Sequence, residues 1–428
     1  MADLGATAGD SRTVRSSGKF EPHCRPLSRR LFLFPMPPMR EPLVQPDHGN
    51  APSNPPARSS SASAVAVPLL ALGLLAAAVW LGSIPSQPQQ PPAGPAVQPL
   101  PPAKPVDPLP SWNQGPTKQA ILAFVAAVTD EAGPDFVPVP ERVAVFDHDG
   151  TLACERPLLN GLFIVEQVRG LVARDPSLAS EEPYATLLSG DLEFMRRLGR
   201  RFVNEVAAAT LDGVPATVLD ADVRAFLASA RHPLFDVPLA EVSYTPMKEL
   251  LDLLGKNGFS VWLCSGSSVH FIRPLAEAWY GIGPDRVIGS RPRGVMVEAP
   301  GEDGAESPRL DMVLLPEIEL FNDGPQKPVS IAAQVGRRPI LAVGNVAGGD
   351  LEMLRWSQSS GRLNLQLIVL HDDADREVDY GDQGDSDLEA ARRAGWHIVS
   401  MASDWNRVFA NPLVKEEPSE PADTPPTP

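Results

Sequence analysis

The sequence predicts an α/β protein built on a parallel sheet, with a mainly helical domain inserted after the first strand. Three observations carry that expectation. Short, continuously apolar runs recur along the chain: RVAVFD at 142–147, SVWLC at 260–264, PILAV at 339–343 and LQLIVL at 365–370. Strands buried on both faces read in this unbroken way, as in a parallel sheet covered by helices. Segments of helical spacing separate the runs, whereas residues 153–245 interrupt the rhythm with three mainly helical patterns, LFIVEQVRGLVA, LEFMRRLGRRFVNEVA and DVRAFLASA.

Taken in order, Lys118–Thr129 has helical spacing and precedes the first strand. After the 153–245 insert, Met247–Lys256 is a helix, Ser260–Cys264 the next strand, and Val269–Trp279 a helix. A short strand follows at Arg286–Ile288, then a helix at Val329–Val335, a strand at Pro339–Val343 and a helix at Asp350–Trp356. Leu365–Leu370 is a strand, Asp387–Ala394 a helix, and His397–Met401 the last strand.

The flanks differ in composition. The 428 residues include 48 prolines, about twice average usage at ~5%, and these cluster. Residues 1–63 are rich in Pro, Ser, Ala and Arg without an apolar period and are expected to be disordered. From Ala64 to Ile84 runs an uncharged apolar segment, AVAVPLLALGLLAAAVWLGSI. A bilayer-spanning helix needs about 20 such residues, and a cleaved signal has a shorter core. A transmembrane signal-anchor at 64–84 is therefore expected, with a cleaved export signal as the alternative. Basic residues before the run place the remainder outside the cytoplasm, in the periplasm if the cell is Gram-negative. Residues 85–116 hold twelve prolines and form a polyproline-type linker. The folded domain is expected at 117–411, and 412–428 is a solvated tail.

A net charge of −16 disfavours nucleic acid as a partner. Three cysteines, Cys24, Cys154 and Cys264, are too few and too scattered for a disulfide scaffold or a structural zinc site, although a Cys154–Cys264 pair is an open alternative.

Chemistry concentrates after the first strand, in Asp147-His148-Asp149-Gly150-Thr151-Leu152. Ligands of open α/β sheets bind beyond the carboxyl ends of strands. There Asp147 can attack phosphorus as a nucleophile, and Asp149 can protonate the leaving oxygen and later deprotonate water. A carboxylate attacking a phosphate dianion needs a cation to offset repulsion, and oxygen ligands suit Mg²⁺.

VAVFDHDGTL resembles motif I of the haloacid dehalogenase (HAD) superfamily, and its other three motifs occur in order. The resemblance implies a Rossmann-like core with a helical cap. It implies phosphate binding by Ser265 and Gly266 after VWLC and by Lys327 in NDGPQKPVSI. It also implies a Mg²⁺ site from Asp147, Asp149, Asn345 and Asp350, the last two in GNVAGGD. LPSWNQGPTKQAILAFV, HDDADRE and SMASDWNRVF further resemble an exported bacterial subgroup labelled phosphoserine phosphatase-like, over about 109–410.

The chain departs from that subgroup at His148, usually Asn there, and from many relatives at Asn345, where they carry Asp. His148 is expected to face away from the site in a structural role. Asn345 can ligate Mg²⁺ without contributing charge, which leaves Asp350 as the anionic partner. Glu155 and Arg156 are candidate substrate contacts, as are His270 and Arg273 at a helix start. Asp372, Asp373, Asp375 and Arg376 are expected to form a salt-bridged loop.

The expected activity is Mg²⁺-dependent hydrolysis of small phosphomonoesters through an aspartyl-phosphate. A phosphoserine-specific phosphatase is an alternative. So is a degenerate domain that binds a phospho-ligand or partner, with Asn345 as its support. Asp149 argues against a dehalogenase, and an anchor argues against a cytosolic mutase.

Overall fold

A computed structural model describes residues 106–190, 192–299 and 309–415, with the backbone alone considered over 192–201. The expected anchor at 64–84, the 1–63 segment, most of the linker and residues 416–428 lie outside the described residues. Within them no helix is long and apolar enough to cross a membrane.

The chain enters through α1 (Pro116–Thr129) and β1 (Val143–Phe146). It then runs through four helices: α2 (Leu159–Arg174), α3 (Tyr184–Ser189), α4 (Leu192–Leu211) and α5 (Ala216–Ser229). It returns through α6 (Thr245–Lys256), β2 (Ser260–Ser268), α7 (Val269–Tyr280), β3 (Val287–Ala299) and β4 (Arg309–Leu320). The remaining elements are α8 (Gln326–Val335), β5 (Leu341–Asn345), α9 (Leu351–Gln358), β6 (Leu365–Leu370), α10 (Asp385–Ala394), β7 (His397–Ser400) and α11 (Met401–Asp404). The seven strands lie in the order β4-β3-β2-β1-β5-β6-β7. All pairings are parallel except β3 with β4.

Alternation of side chains across the pleat explains why these strands carry no polar face. Ala144 and Phe146 of β1, Leu263 of β2, Leu341 and Val343 of β5 and Leu367 of β6 join one core. Val145, Cys264, Ala342 and Ile368, one residue out of phase, join the other. Both faces are thus covered by helices.

Two boundaries differ from the sequence expectation. Ordered packing begins before residue 117: Leu109 and Trp112 are buried, and the Trp112 indole donates to the Pro246 carbonyl at 2.9 Å. Its ring stands edge-on to Trp405, with centroids 5.9 Å apart. The prolines of this stretch suit an extended segment lying on the domain as well as they suit a free linker.

The second difference is a long antiparallel ribbon, β3–β4, where only a short strand at Arg286–Ile288 is expected. Pro292 and Gly294 weaken the strand pattern, since both residues are depleted from strand interiors. In the structure both sit at register irregularities, where ladder pairing is interrupted. The ribbon leans on the helical insert. Gly213 N donates to the Leu314 carbonyl at 3.0 Å, and Leu314 N donates back to Val214 at 2.9 Å.

Candidate active site

The carboxyl ends of β1, β2 and β5 converge on one floor. β1 ends in Asp147, whose amide donates to the Val343 carbonyl at 2.9 Å and so fixes the chain against β5. The following turn closes on itself, with the Thr151 and Leu152 amides donating to the His148 carbonyl at 3.1 and 2.8 Å. Gly150 has φ +72°, and a Cβ there would lie 2.2 Å from Asn345 Nδ2. The turn therefore needs glycine for its conformation and for its approach to β5.

Three charged groups meet beneath this turn. Lys327, in the first turn of α8 and 1% exposed, places Nζ 3.1 Å from Asp147 Oδ1 and 2.5 Å from Asp350 Oδ1. The second oxygen of Asp350 accepts from the Asn345 amide at 3.0 Å. Burial raises the Asp147 carboxyl despite Lys327, and burial with the nearby Asp147 raises Asp350 further. Burial opposes the Lys327 charge, but the two carboxylates outweigh it and hold the ammonium protonated.

Asp149 is held differently. Its Oδ2 accepts from Ser267 Oγ at 2.8 Å and Ser265 Oγ at 3.3 Å, and its Oδ1 lies 3.0 Å from His148 Nδ1. Burial would raise its carboxyl, yet His148 and the Ser267 hydroxyl bring it below the ordinary value.

His148 does not face away, as the sequence reading expects. It is fully buried between Asp149 and α7, with Nε2 3.4 Å from the Tyr280 hydroxyl. Its side chain is long enough to fold back on the residue that follows it.

Ser267 was not among the sequence candidates. It sits where β2 loses register with β3 between Cys264 and Ser268, an irregularity that brings it and Ser265 to the same carboxylate. Asn322 also escaped notice. Its Nδ2 donates to the Ser265 carbonyl at 2.9 Å and steadies that loop. His371 is a third. Its ring spans the Gly150 carbonyl and Glu377 Oε2, both at 2.8 Å, while Glu377 Oε1 accepts from the Tyr244 hydroxyl at 2.9 Å. The only sequence signal for it was the histidine opening HDDADRE.

The other candidates separate. Glu155 lines the cavity, 3.5 Å from Asn345 Nδ2, and burial raises its carboxyl. Arg156 lies over the Tyr380 ring, 3.7 Å from its centroid, and donates to Gln383 at 2.7 Å, so it is occupied outside the cavity lining. His270 lines the cavity, whereas Arg273 donates to the Pro284 carbonyl at 3.1 Å. Arg376 pairs with Asp373, and Asp372 accepts from Ser400 Oγ at 2.6 Å. Cys154 and Cys264 are free and buried, and burial pushes the Cys264 thiol up to about 12.

The residues present fit a small hard cation. Asn345 Oδ1 is buried without a hydrogen-bond partner, and Asp147 Oδ1 is buried 3.1 Å from the Lys327 ammonium. A Cβ at position 348 would lie 2.0 Å from Asn345 Oδ1, so Gly348 keeps the space beside that oxygen open. With Asp350 these form an oxygen-only donor set suited to Mg²⁺. Among the described residues no group of three His, Cys, Asp or Glu side chains is placed to hold a metal ion by itself. Both carboxylate oxygens of Asp149 are engaged by Ser265, Ser267 and His148, and both of Asp350 by Lys327 and the Asn345 amide, so each would ligate a cation through the lone pairs these contacts leave free.

Above the floor opens a cavity of about 640 Å³, walled by α2, α4, α5, α7 and the ribbon. Floor and walls together place two separately held carboxylates, Asp147 and Asp149, at the base of one cavity.

A family model described as haloacid dehalogenase-like hydrolase matches residues 144–311. No curated protein matches the chain. Among solved structures, it is similar to a conserved protein of unknown function from Anaerococcus prevotii, at 14% identity and a TM-score of 0.40, covering 66% of this chain and 91% of that one. A protein of unknown function from Bordetella pertussis is 15% identical at a TM-score of 0.39, covering 60% and 98%. A phosphoserine phosphohydrolase-like protein from Francisella tularensis is 14% identical at a TM-score of 0.31, covering 54% and 88%.

Proposed function

Because the chain belongs to the haloacid dehalogenase-like hydrolases, we propose that it is a phosphomonoesterase using Asp147 as nucleophile and Asp149 as proton carrier. The observation that carries this reading is the separate housing of two carboxylates on one turn. Lys327 and Asp350 hold Asp147, while Ser265, Ser267 and His148 hold Asp149. Groups so separated take different protonation roles.

Asp147 attacks phosphorus and forms an aspartyl-phosphate, and the ester oxygen leaves with a proton delivered from the Asp149–His148 pair. Asp149 Oδ1 lies 3.0 Å from His148 Nδ1, within reach for a proton to pass between them. Asp149 then takes a proton from the water that cleaves the intermediate. Lys327, near Asp147, counters charge on the phosphoryl oxygens, where most catalysis in phosphoryl transfer arises. Asp147, Asn345 and Asp350 would hold Mg²⁺, which supplies the positive charge that keeps the buried Asp147 ionised against dianionic substrate.

Phosphoserine is the narrower candidate substrate. The apolar run at 64–84 would anchor the domain outside the cytoplasm, where external phosphomonoesters are met.

The test is hydrolysis of an aryl phosphate by the full-length protein, with Mg²⁺ or EDTA, beside Asp147→Asn. We expect turnover that needs the cation and falls about 10⁴-fold or more in the variant. Undiminished turnover by Asp147→Asn would overturn the assignment. Absence of turnover together with no Mg²⁺-dependent rise in Tm would favour the phospho-ligand-binding alternative.

A further inference from the structure

The cavity above the floor differs in chemistry from the floor itself. Its walls are predominantly apolar: Phe163 of α2, Val206 of α4, Leu219 and Val223 of α5, Phe271 of α7 and Ile318 of β4 all face it. No lysine or arginine occurs among the described lining residues, whereas Glu155 and Asp323 are both present. Among the described residues, a substrate carboxylate would find no lysine or arginine in these walls and would meet Glu155 and Asp323, at a cost that grows with desolvation. The space also exceeds what a three-carbon leaving group fills, at about 640 Å³ in a range of roughly 300–1,000 Å³ for organic ligands.

We propose that the substrates are phosphate monoesters of uncharged, mainly apolar alcohols, whose hydrocarbon portion occupies the chamber formed by α2, α4, α5, α7 and β4. This deepens the phosphomonoesterase reading and rests on it. Phosphate sits on the polar floor, and the alcohol gains affinity by leaving water against the cap. Each methylene buried this way contributes a few-fold in binding, about fourfold at full burial.

The experiment is kcat/KM of the full-length protein for n-alkyl phosphates from ethyl to octyl, alongside phosphoserine, phosphoethanolamine and glycerol phosphate. Alkyl leaving groups of similar acidity isolate the chamber from the chemistry. We expect kcat/KM to rise about twofold to fourfold per methylene until the chamber is filled, with phosphoserine at least tenfold below butyl phosphate. Leu158→Asn and Val203→Asn, at partly exposed lining positions that tolerate polarity, should compress the octyl-to-ethyl ratio. A flat series, or phosphoserine or phosphoethanolamine as the best substrate, overturns the proposal while Asp147-dependent turnover leaves the phosphomonoesterase reading intact. No Asp147-dependent turnover of any ester overturns both.

Discussion

The two ends of the cavity treat buried polarity in opposite ways. At the sheet end, the Lys327 ammonium is held in contact with Asp147 and Asp350, and Asp149 is surrounded by donors. At the cap end the walls are predominantly apolar, and away from the cavity the buried His232, where the chain leaves α5, is held neutral. Charge is concentrated where phosphorus reacts and kept out of the chamber that receives the rest of the substrate. The difference shows that desolvation is spent on catalysis at one end and on recognition at the other.

The strongest way to break this contrast is to remove the cation from the charged end. Lys327→Met leaves two buried carboxylates facing each other without their ammonium. It should cost about 3–5 kcal/mol in urea unfolding, besides abolishing turnover. A loss under about 1 kcal/mol would mean that water, not Lys327, neutralises the pair.

His232 tests the same avoidance of buried charge away from the cavity. Burial brings its imidazole down to about 4, with Nδ1 accepting from the Leu234 amide at 3.3 Å. Below the ordinary histidine value near 6.5 the unfolded chain binds a proton that the native state refuses. Stability should therefore fall as pH drops from about 6.5 toward 4, by up to about 2–3 kcal/mol from this residue. Comparing urea unfolding of the wild type and His232→Gln near pH 7 and near pH 4.5 isolates the effect; equal slopes would remove it.

Asn345→Asp sharpens the contrast by adding a third anion at the floor. Mg²⁺ should raise Tm at about tenfold lower concentration, while the cation-free protein becomes less stable because Glu155 lies 3.5 Å from this side chain. Unchanged Mg²⁺ dependence would place the cation away from Asn345. The smallest effect is expected for Arg156→Ala, at most about 1 kcal/mol through the lost Tyr380 contact, with kcat/KM unchanged. A fall in kcat/KM at constant Tm would return Arg156 to the substrate.

These two ends were unequally legible in the sequence. The floor follows from residues tied to strand ends, so the order Asp147, Ser265, Lys327, Asn345 could be read along the chain. Apolar runs likewise located the parallel strands, because burial on both faces leaves an unbroken pattern. The cap is legible as helices but not as walls, since periodicity does not distinguish Phe163 facing the cavity from an ordinary core residue. Ser267 and His148 were hidden for a further reason. Their importance arises from a strand irregularity and a side chain folding back, and neither leaves a repeat in sequence. The β3–β4 ribbon was masked by Pro292 and Gly294, which weaken the strand pattern until the bulges that accommodate them are seen.

That ribbon also governs traffic through the site. The segment after α4 is stitched to β4 by two backbone hydrogen bonds, and β4 pairs with β3, whose Ser290 holds the Gly266 carbonyl at 2.7 Å. A cap joined in this way does not swing on its two chain connections alone. Opening wide enough to admit a bulky ester must either part those bonds or carry the ribbon along, and the latter motion would pull on the loop bearing Ser265 and Ser267. For the proposed ester, entry and release would thereby be coupled to the loop bearing Ser265 and Ser267.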